Sequence, residues 1–166
     1  MMKGMSEMIA AVIVILIGLG MAAIVGPWAI NLATESSDNS GQAMNQNIIC
    51  QQTGYTFDSD YGVSGVDWNI TGTLGIMTVK ITNTKMQNIY NFTIEATFLT
   101  PGGQRILTDP DIMITPISQK TVTNPLKPGQ STILDADITN ANETWTLMRV
   151  KVINGVCPSI SPYTDI

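Results

Sequence analysis

The hydrophobic pattern changes period along the chain, and this change divides the sequence into two parts. Residues 8–30 form an uncharged run rich in Ile, Val, Leu, Ala and Gly. A helix over that run is about 35 Å long at 1.5 Å per residue, enough to cross a bilayer. From Tyr55 onward, apolar residues recur at every second position, which is the period of a β-strand. The sequence therefore predicts a membrane-length helix followed by a β-rich domain.

The β-rich part contains several short alternating segments separated by turn-forming residues. Apolar and polar residues alternate most regularly in residues 77–81, 90–98, 134–138 and 148–152. Turn-like sequences occupy residues 83–85, 100–103 and 127–130. Leu74 and Ile76 are out of step with the alternation that follows them, which predicts a bulge near Gly75. Short strands punctuated in this way are typical of an antiparallel β-sandwich.

A polar stretch, residues 31–41, separates the two parts and has two interpretations. A run of Asn, Thr, Ser, Asp and Gly favours a structureless linker. Alternatively, the N-terminal helix continues through Leu32 toward Ala43 and Ile48. The hydrophobic pattern alone leaves both interpretations open.

The long apolar run itself has three interpretations. A secretory signal has an apolar core of about 7–15 residues and a small-residue cleavage site. Met21-Ala22-Ala23 imitates such a site, but the run is longer than such a core. A single-pass membrane anchor agrees with its length and hydrophobicity. The third interpretation depends on the residues that precede the run, Lys3-Gly4-Met5-Ser6-Glu7.

This Lys-Gly-Met-Ser-Glu stretch, followed by an Ile/Val/Leu/Ala-rich run, resembles the N-terminus of archaeal type IV pilins. The resemblance implies that a prepilin-type peptidase removes the leader, residues 1–4, by cutting between Gly4 and Met5. It further implies a hydrophobic helix over residues 5–48 and a head domain over residues 49–166. The expected partners are the peptidase, the pilus assembly machinery, the membrane before assembly, and other copies of the chain in a helical homopolymer. The expected location is an extracellular filament, preceded by a membrane-inserted precursor.

Five residues of the apolar helix are candidates for assembly. Gly18, Ala22 and Gly26 recur at every fourth position, and such a stripe of small residues lets helices approach closely. Pro27 removes a backbone hydrogen bond, so we expect a kink or a melted turn near Gly26. Glu7 is the only acid between Lys3 and Glu35, and the pilin resemblance implies that it contributes to assembly.

The β-rich part also resembles a known module. The residues from Leu74 to Asn83, then Phe98, then residues 126–131 look like an immunoglobulin-like domain. The heads of archaeal pilins and archaellins are of this kind. The expected fold class is therefore α+β: a long N-terminal hydrophobic helix followed by an antiparallel immunoglobulin-like β-sandwich head. A fold-level resemblance of this kind carries no activity.

Composition and charge narrow the possible functions. The chain has no histidine, which excludes Ser-His-Asp, Cys-His and HExxH chemistry. Its net charge of −5, without basic clusters, gives nucleic-acid phosphate no counter-charge. Asp58, Asp60 and Gly62 resemble the start of a calcium loop, but the other ligands are missing, and Asp109-Pro110-Asp111 is similar. We therefore expect no catalytic residue, no metal site and no cofactor.

Export would also permit two covalent modifications. Cys50 and Cys157 are the only cysteines, and an even count in an exported chain favours a disulfide over two buried thiols. Sequons of the form Asn-X-Thr begin at Asn69, Asn91 and Asn142. Asn91 falls on the outward-facing positions of its predicted strand, as a glycan acceptor must. We expect at least one sequon to be occupied.

Three functions are consistent with these observations. The first is a structural one, a pilin whose helices polymerise and whose β-heads coat the filament, with adhesion as its use. The second is a monomeric membrane-anchored β-sandwich adhesin or binding protein. An archaellin of a motility filament is a variant of the first, although archaellins usually begin with Gly- and Thr-rich sequences rather than Ser-Glu. A surface enzyme is a distant third.

Overall fold

The computed structural model describes the backbone of residues 3–166 and the side chains of residues 9–34 and 44–166. One helix, α1 (Lys3–Gln52), is followed by nine strands within this part of the chain. The strands are β1 (Tyr55–Phe57), β2 (Val66–Thr71), β3 (Leu74–Asn83), β4 (Phe92–Thr100), β5 (Gly103–Leu107), β6 (Ile112–Ile114), β7 (Ser131–Ile138), β8 (Thr146–Asn154) and β9 (Tyr163–Asp165). The chain is therefore an α+β protein with a long apolar N-terminal helix followed by antiparallel sheets.

The helix continues through both segments in which the sequence left doubt. Its backbone is helical across residues 31–41, so the linker interpretation is wrong and the extension toward Ile48 is confirmed. The backbone also stays helical through Pro27, so the melted turn expected near Gly26 is absent from this described segment. Proline removes one backbone hydrogen bond, but its φ is compatible with a helix, and the bonds of the neighbouring turns remain.

The strands form two antiparallel sheets. In one sheet the order is β1-β3-β7-β6, and β2 pairs with the part of β3 that β1 leaves free. In the other sheet the order is β5-β4-β8-β9. The described residues divide into two compact units by contact, the first ending at Asn45 and the second running from Gln46 to Ile166. Both sheets belong to the second unit, which we call the β-rich unit.

The inward-facing residues of the two sheets share one hydrophobic core. Strand β3 contributes Met77, Val79 and Ile81, all fully buried, as the alternation predicts. Strand β7 contributes its own alternate set in the same way, and strand β4 does so from Phe92 to Phe98. Tyr55 packs its ring edge-on against Phe92 with 5.7 Å between centroids. Burial of these alternating apolar sets is the main force holding the sheets together.

The sheets contain a β-bulge, but it lies between β4 and β8 rather than at the predicted position in β3. Strand β3 pairs with β2 and β7 without a break at Gly75, so the predicted bulge there is wrong. Leu74 and Ile76 are out of step because they lie on the outer face of the sheet, where they are exposed. The register shifts instead between Thr97 and Phe98.

The true irregularity changes which residues of β8 face the core. Thr97 pairs with Arg149 and Phe98 pairs with Leu147, so Met148 is the extra residue on β8. Leu147 is buried in the core as a result, and Met148 lies outside it. The inward set of β8 is therefore Leu147, Val150 and Val152, rather than a set that includes Met148.

Candidate functional site

The apolar part of α1 is a surface that the described residues leave uncovered. The segment Ile9–Thr34 is 26 residues long; an 18-residue window within it has a mean hydropathy of 2.8, and none of that window is buried. At 1.5 Å per residue the segment is about 39 Å long, against a hydrocarbon core of about 30 Å. By length and composition it is able to cross a membrane, although a signal sequence near an N-terminus has the same properties. The hydroxyl of Thr34 lies 3.0 Å from the carbonyl oxygen of Ile30, so this polar group is satisfied within the helix.

The structure describes the candidate assembly residues in the apolar segment of α1, but not the side chain of Glu7. Gly18, Ala22 and Gly26 lie along one face of α1, and nothing within 4 Å occupies the space beside either glycine. This face is therefore open to another helix. The leader residues 1–2 lie outside the described residues, and so do the side chains at positions 4, 5 and 7. The leader, its cleavage and the role of Glu7 stay predictions.

A covalent clamp joins the C-terminal end of α1 to the last part of the chain. Cys50 and Cys157 form a disulfide across 107 positions of sequence, with their Cα atoms 5.3 Å apart. The predicted bridge is thus confirmed. Cys157 is fully buried, whereas Cys50 is partly exposed at the helix end. A bond of this kind is typical of an extracellular environment.

Hydrogen bonds reinforce this clamp at the end of the helix. The Gln46 carboxamide donates from Nε2 to the Val156 carbonyl at 3.0 Å. The carbonyl of Gln52, in the last turn of α1, accepts from the N–H of Gln87 at 3.1 Å. The last carbonyls of a helix have no partner within it, so the loop after β3 satisfies one of them here. The last turns of α1, which belong to the second unit from Gln46 onward, are thus bound to the loops of that unit by polar contacts as well as by the disulfide.

A buried asparagine holds the loop that carries Cys157. Asn154 is fully buried, and its Oδ1 accepts from the N–H of Cys157 at 2.8 Å. Its Nδ2 donates to the carbonyls of Cys157 and Ile160, both at 3.1 Å. The Tyr55 hydroxyl lies 3.4 Å from the same Nδ2 and donates to the Val152 carbonyl at 2.8 Å. Each bond satisfies a group whose burial would otherwise be costly, so together they fix Cys157 in position.

Tyr55 should make the stability of the β-rich unit sensitive to alkali. Burial raises the pKa of Tyr55 to about 12, from 10.0. As the pH rises, Tyr55 ionises at a lower pH in the unfolded chain than in the folded chain. The stability that the buried neutral phenol contributes is therefore complete below pH 10 and is lost as the pH rises toward 12. A shift of this size corresponds to about 2–3 kcal/mol. We expect urea unfolding to show a larger alkaline loss for the wild type than for Tyr55→Phe.

The exposed Tyr163 supplies the matched control for this measurement. Tyr163→Phe should keep the full alkaline loss of the wild type, because Tyr163 is 57% exposed and makes no comparable buried hydrogen bond in the described chain. An equal loss in the wild type and in Tyr55→Phe between pH 10 and pH 12 would contradict the assignment to Tyr55.

The three sequons lie in different environments. Asn69 is exposed on the outer side of β2. Asn91 is exposed but lies just before β4 with a φ of 54°, so its predicted place within a strand is wrong. Asparagine tolerates this left-handed conformation better than most residues, so it suits this position. Asn142 is half-buried, and its Oδ1 accepts from the N–H and the hydroxyl of Thr144.

The acidic turns considered as metal loops contain other contacts. Asp58 forms an ion pair with Lys80 at 2.7 Å, and the Lys80 ammonium holds the pKa of Asp58 below its usual value. Asp58 also accepts from the N–H of Asp60. Asp111 accepts from Nδ2 of Asn140 at 2.7 Å. Among the side chains that the structure describes, no three His, Cys, Asp or Glu residues are grouped to hold a metal ion.

One groove on the outer face of the four-stranded sheet has two carboxylates in its lining. It has a volume of about 560 Å³ and contains Glu95 and Asp165. Asp165 is bound to the Arg149 guanidinium at 2.6 Å, and Glu95 lies 3.9 Å from the Lys151 ammonium. Paired in this way, the carboxylates balance the cations of β8.

Comparison with known proteins does not assign the chain to a family. No protein-family model matches the chain, and no curated protein matches it significantly. Among solved structures, the chain is similar to the selenomethionine-labelled β-glucosidase from Kluyveromyces marxianus, at 12% identity and a TM-score of 0.28. The match covers 69% of this chain and 14% of the glucosidase chain. A TM-score this low carries no argument about fold or activity.

Proposed function

We propose that this chain is the structural subunit of an archaeal type IV pilus-like filament. The observation that carries the proposal is the exposed apolar segment Ile9–Thr34, which belongs to one continuous helix that ends at Gln52. An apolar surface of this size requires either lipid or other apolar helices around it. A filament core of identical helices supplies the second environment after the membrane has supplied the first.

The β-rich unit serves in this proposal as the head on the filament surface. Its two antiparallel sheets with a shared core support an immunoglobulin-like β-sandwich. The disulfide between Cys50 and Cys157 supports exposure outside the cell. The head has no catalytic role in this proposal, and adhesion is its use.

The filament proposal is tested by electron microscopy of the cells and of the purified protein. Long filaments that contain this chain are the expected result. A monomeric membrane-anchored adhesin is the alternative, because a single helix of this length suffices for anchorage. Reproducible absence of filaments under piliating conditions, with the protein present in the membrane, would favour that alternative.

Processing provides a second, independent test. Mass spectrometry of the mature protein should find Met5 at its N-terminus, because the peptidase cuts after Gly4. Replacement of Gly4 by valine should leave the leader attached and abolish filaments, while the precursor still accumulates in the membrane. Lys3 keeps this end cytoplasmic, in agreement with the positive-inside rule. A mature protein that retains Met1, or one cut near Ala23, would contradict the pilin assignment.

A further inference from the structure

The outer face of the five-stranded sheet contains a shallow groove next to one of the sequons. We call it the Asn69 groove; it has a volume of about 530 Å³. Its lining includes Asn69, Thr71, Leu74, Ile76, Asp137 and Thr139. The groove therefore combines an apolar floor with a carboxylate and hydroxyl groups around it.

The apolar floor is largely exposed to solvent. Leu74 is 62% exposed and Ile76 is 59% exposed, although Met77, the next residue along β3, is fully buried. Among the strands, β2 pairs only with β3, so beyond its first residue, Val66, which bridges to Val63, its outer edge is free in the described chain. Exposed apolar residues beside a free edge strand promote pairing of that strand with another chain, and hence aggregation, unless another group covers them.

The pairing register places the sequon at one end of a row that crosses this floor. Asn69 on β2 lies opposite Ile76 on β3, and Ile76 lies opposite Asp137 on β7. Side chains directly opposite each other on one face of a sheet are about 4.5–5.5 Å apart at Cβ. A group attached to Asn69 thus has Ile76 as its nearest neighbour and Asp137 as the next.

The acceptor group of Asn69 is available for modification. Asn69 and Thr71 both face outward and are exposed, and within the described chain their side chains make no hydrogen bond. At Asn142, by contrast, the sequon threonine Thr144 already donates to the asparagine Oδ1 at 2.7 Å. The Cβ of Asn91 packs closely against Gly155, and neither Asn91 nor Asn142 lines the groove.

We propose that Asn69 carries an N-linked glycan whose first sugars lie in the Asn69 groove. The inference requires export of the chain but does not depend on polymerisation. In the transfer step, Nδ2 of Asn69 forms a bond to the anomeric carbon of a lipid-linked sugar phosphate. The bond from that carbon to the phosphate oxygen breaks, the lipid phosphate leaves with the electron pair, and the Nδ2 proton passes to a base of the transferase.

The groove has the chemistry that a sugar ring requires. The C–H face of a pyranose is apolar and packs against Leu74 and Ile76, so it removes their side chains from water. The ring hydroxyls donate to the carboxylate of Asp137, which is exposed and has no ion-pair partner in the described chain. Hydrogen bonds to a charged acceptor are stronger than those between neutral groups. The glycan would therefore cover the apolar floor that the free edge of β2 leaves open.

The first experiment is glycopeptide mass spectrometry of the protein purified from the cells that make it. The peptide that contains Asn69 should carry a glycan mass. That mass should be lost in Asn69→Gln and in Thr71→Val, and retained in Thr71→Ser, which keeps the sequon. An unmodified Asn69 peptide in the wild type would overturn the proposal, whether or not the same preparation contains filaments.

The second experiment locates the glycan by hydroxyl-radical oxidation of the intact protein. Leu74 and Ile76 should oxidise more slowly in the wild type than in Thr71→Val, relative to Ile117, which is 99% exposed and outside the groove. Equally fast oxidation in the two proteins would overturn placement of the glycan in the groove. Equally slow oxidation in the two proteins would assign the groove to another occupant, such as a second copy of the chain, and would also overturn that placement.

Discussion

Replacing Cys50 and Cys157 together with serine should lower the free energy of unfolding of the β-rich unit by about 4–5 kcal/mol. The bond closes a loop across 107 positions, so its loss returns a large conformational entropy to the unfolded chain. Denaturant unfolding of the full-length protein in detergent measures the effect, with Trp68 and Trp145 as fluorescent reporters. This loss is of the same order as the total stability of many small domains.

A mutational cycle separates the bond from its surroundings. Cys50→Ser, Cys157→Ser and the double variant should all lose about the same stability, because each removes the same single bond. Ser159→Ala is the matched control, because its hydroxyl lies 3.1 Å from Cys157 Sγ and the disulfide survives the change. Wild-type stability in the double variant, or additive losses in the two single variants, would contradict a stabilising disulfide.

The sequence predicted the β-rich unit well where burial on one face determines the pattern. Val79 and Ile81 face the core because a strand with one buried face must alternate. The same rule failed at Met148, since a bulge in pairing between adjacent strands leaves no mark in either strand alone. It also misjudged Leu74 and Ile76, because an exposed apolar pair on an outer face looks the same as a change of register.

Two buried asparagines escaped prediction although the pattern contained their signal. Asn83 continues the inward set of β3, and Asn154 continues that of β8; both are fully buried. The carboxamide of Asn83 donates to the carbonyls of Gln87 at 2.8 Å and Leu126 at 3.0 Å. Each asparagine ends a strand and fixes the loop that follows it, as Asn154 does for Cys157. A polar residue on the inward parity at a strand end therefore indicates a buried hydrogen-bonding centre.

The polar stretch after Ile30 is a segment whose local sequence predicted the wrong structure. Residues 31–41 contain no apolar period, and their composition favoured a linker, yet α1 continues through them to Gln52. A helix already formed over an apolar segment extends at little further cost, because nucleation is the expensive step. The far end is held by the disulfide at Cys50. Both effects are invisible to a reading of residues 31–41 alone.

Replacement of Glu7 by glutamine should sharply reduce the number of filaments without affecting the membrane precursor. In the pilin proposal, cleavage after Gly4 creates a positively charged amine at Met5, and Glu7 becomes the third residue of the mature chain. An ionised carboxylate in lipid or in a dry helix bundle is costly unless it is paired. The Met5 amine of a neighbouring subunit is the natural partner, so their contact exists only after cleavage and would set the axial register of the filament.

The expected size of the effect follows from the strength of one charge-assisted contact per subunit. Such a bond contributes about 1.5–3 kcal/mol, which corresponds to roughly a ten- to hundredfold change in an assembly equilibrium. Counting filaments by electron microscopy and the mature N-terminus by mass spectrometry separates assembly from processing. Glu35→Gln is the matched control, because it removes the next acid along the chain, beyond the segment Ile9–Thr34, and should leave filament number unchanged. Wild-type filament yield in Glu7→Gln would place Glu7 outside the assembly mechanism and in the solvated headgroup region, where an exposed carboxylate contributes little.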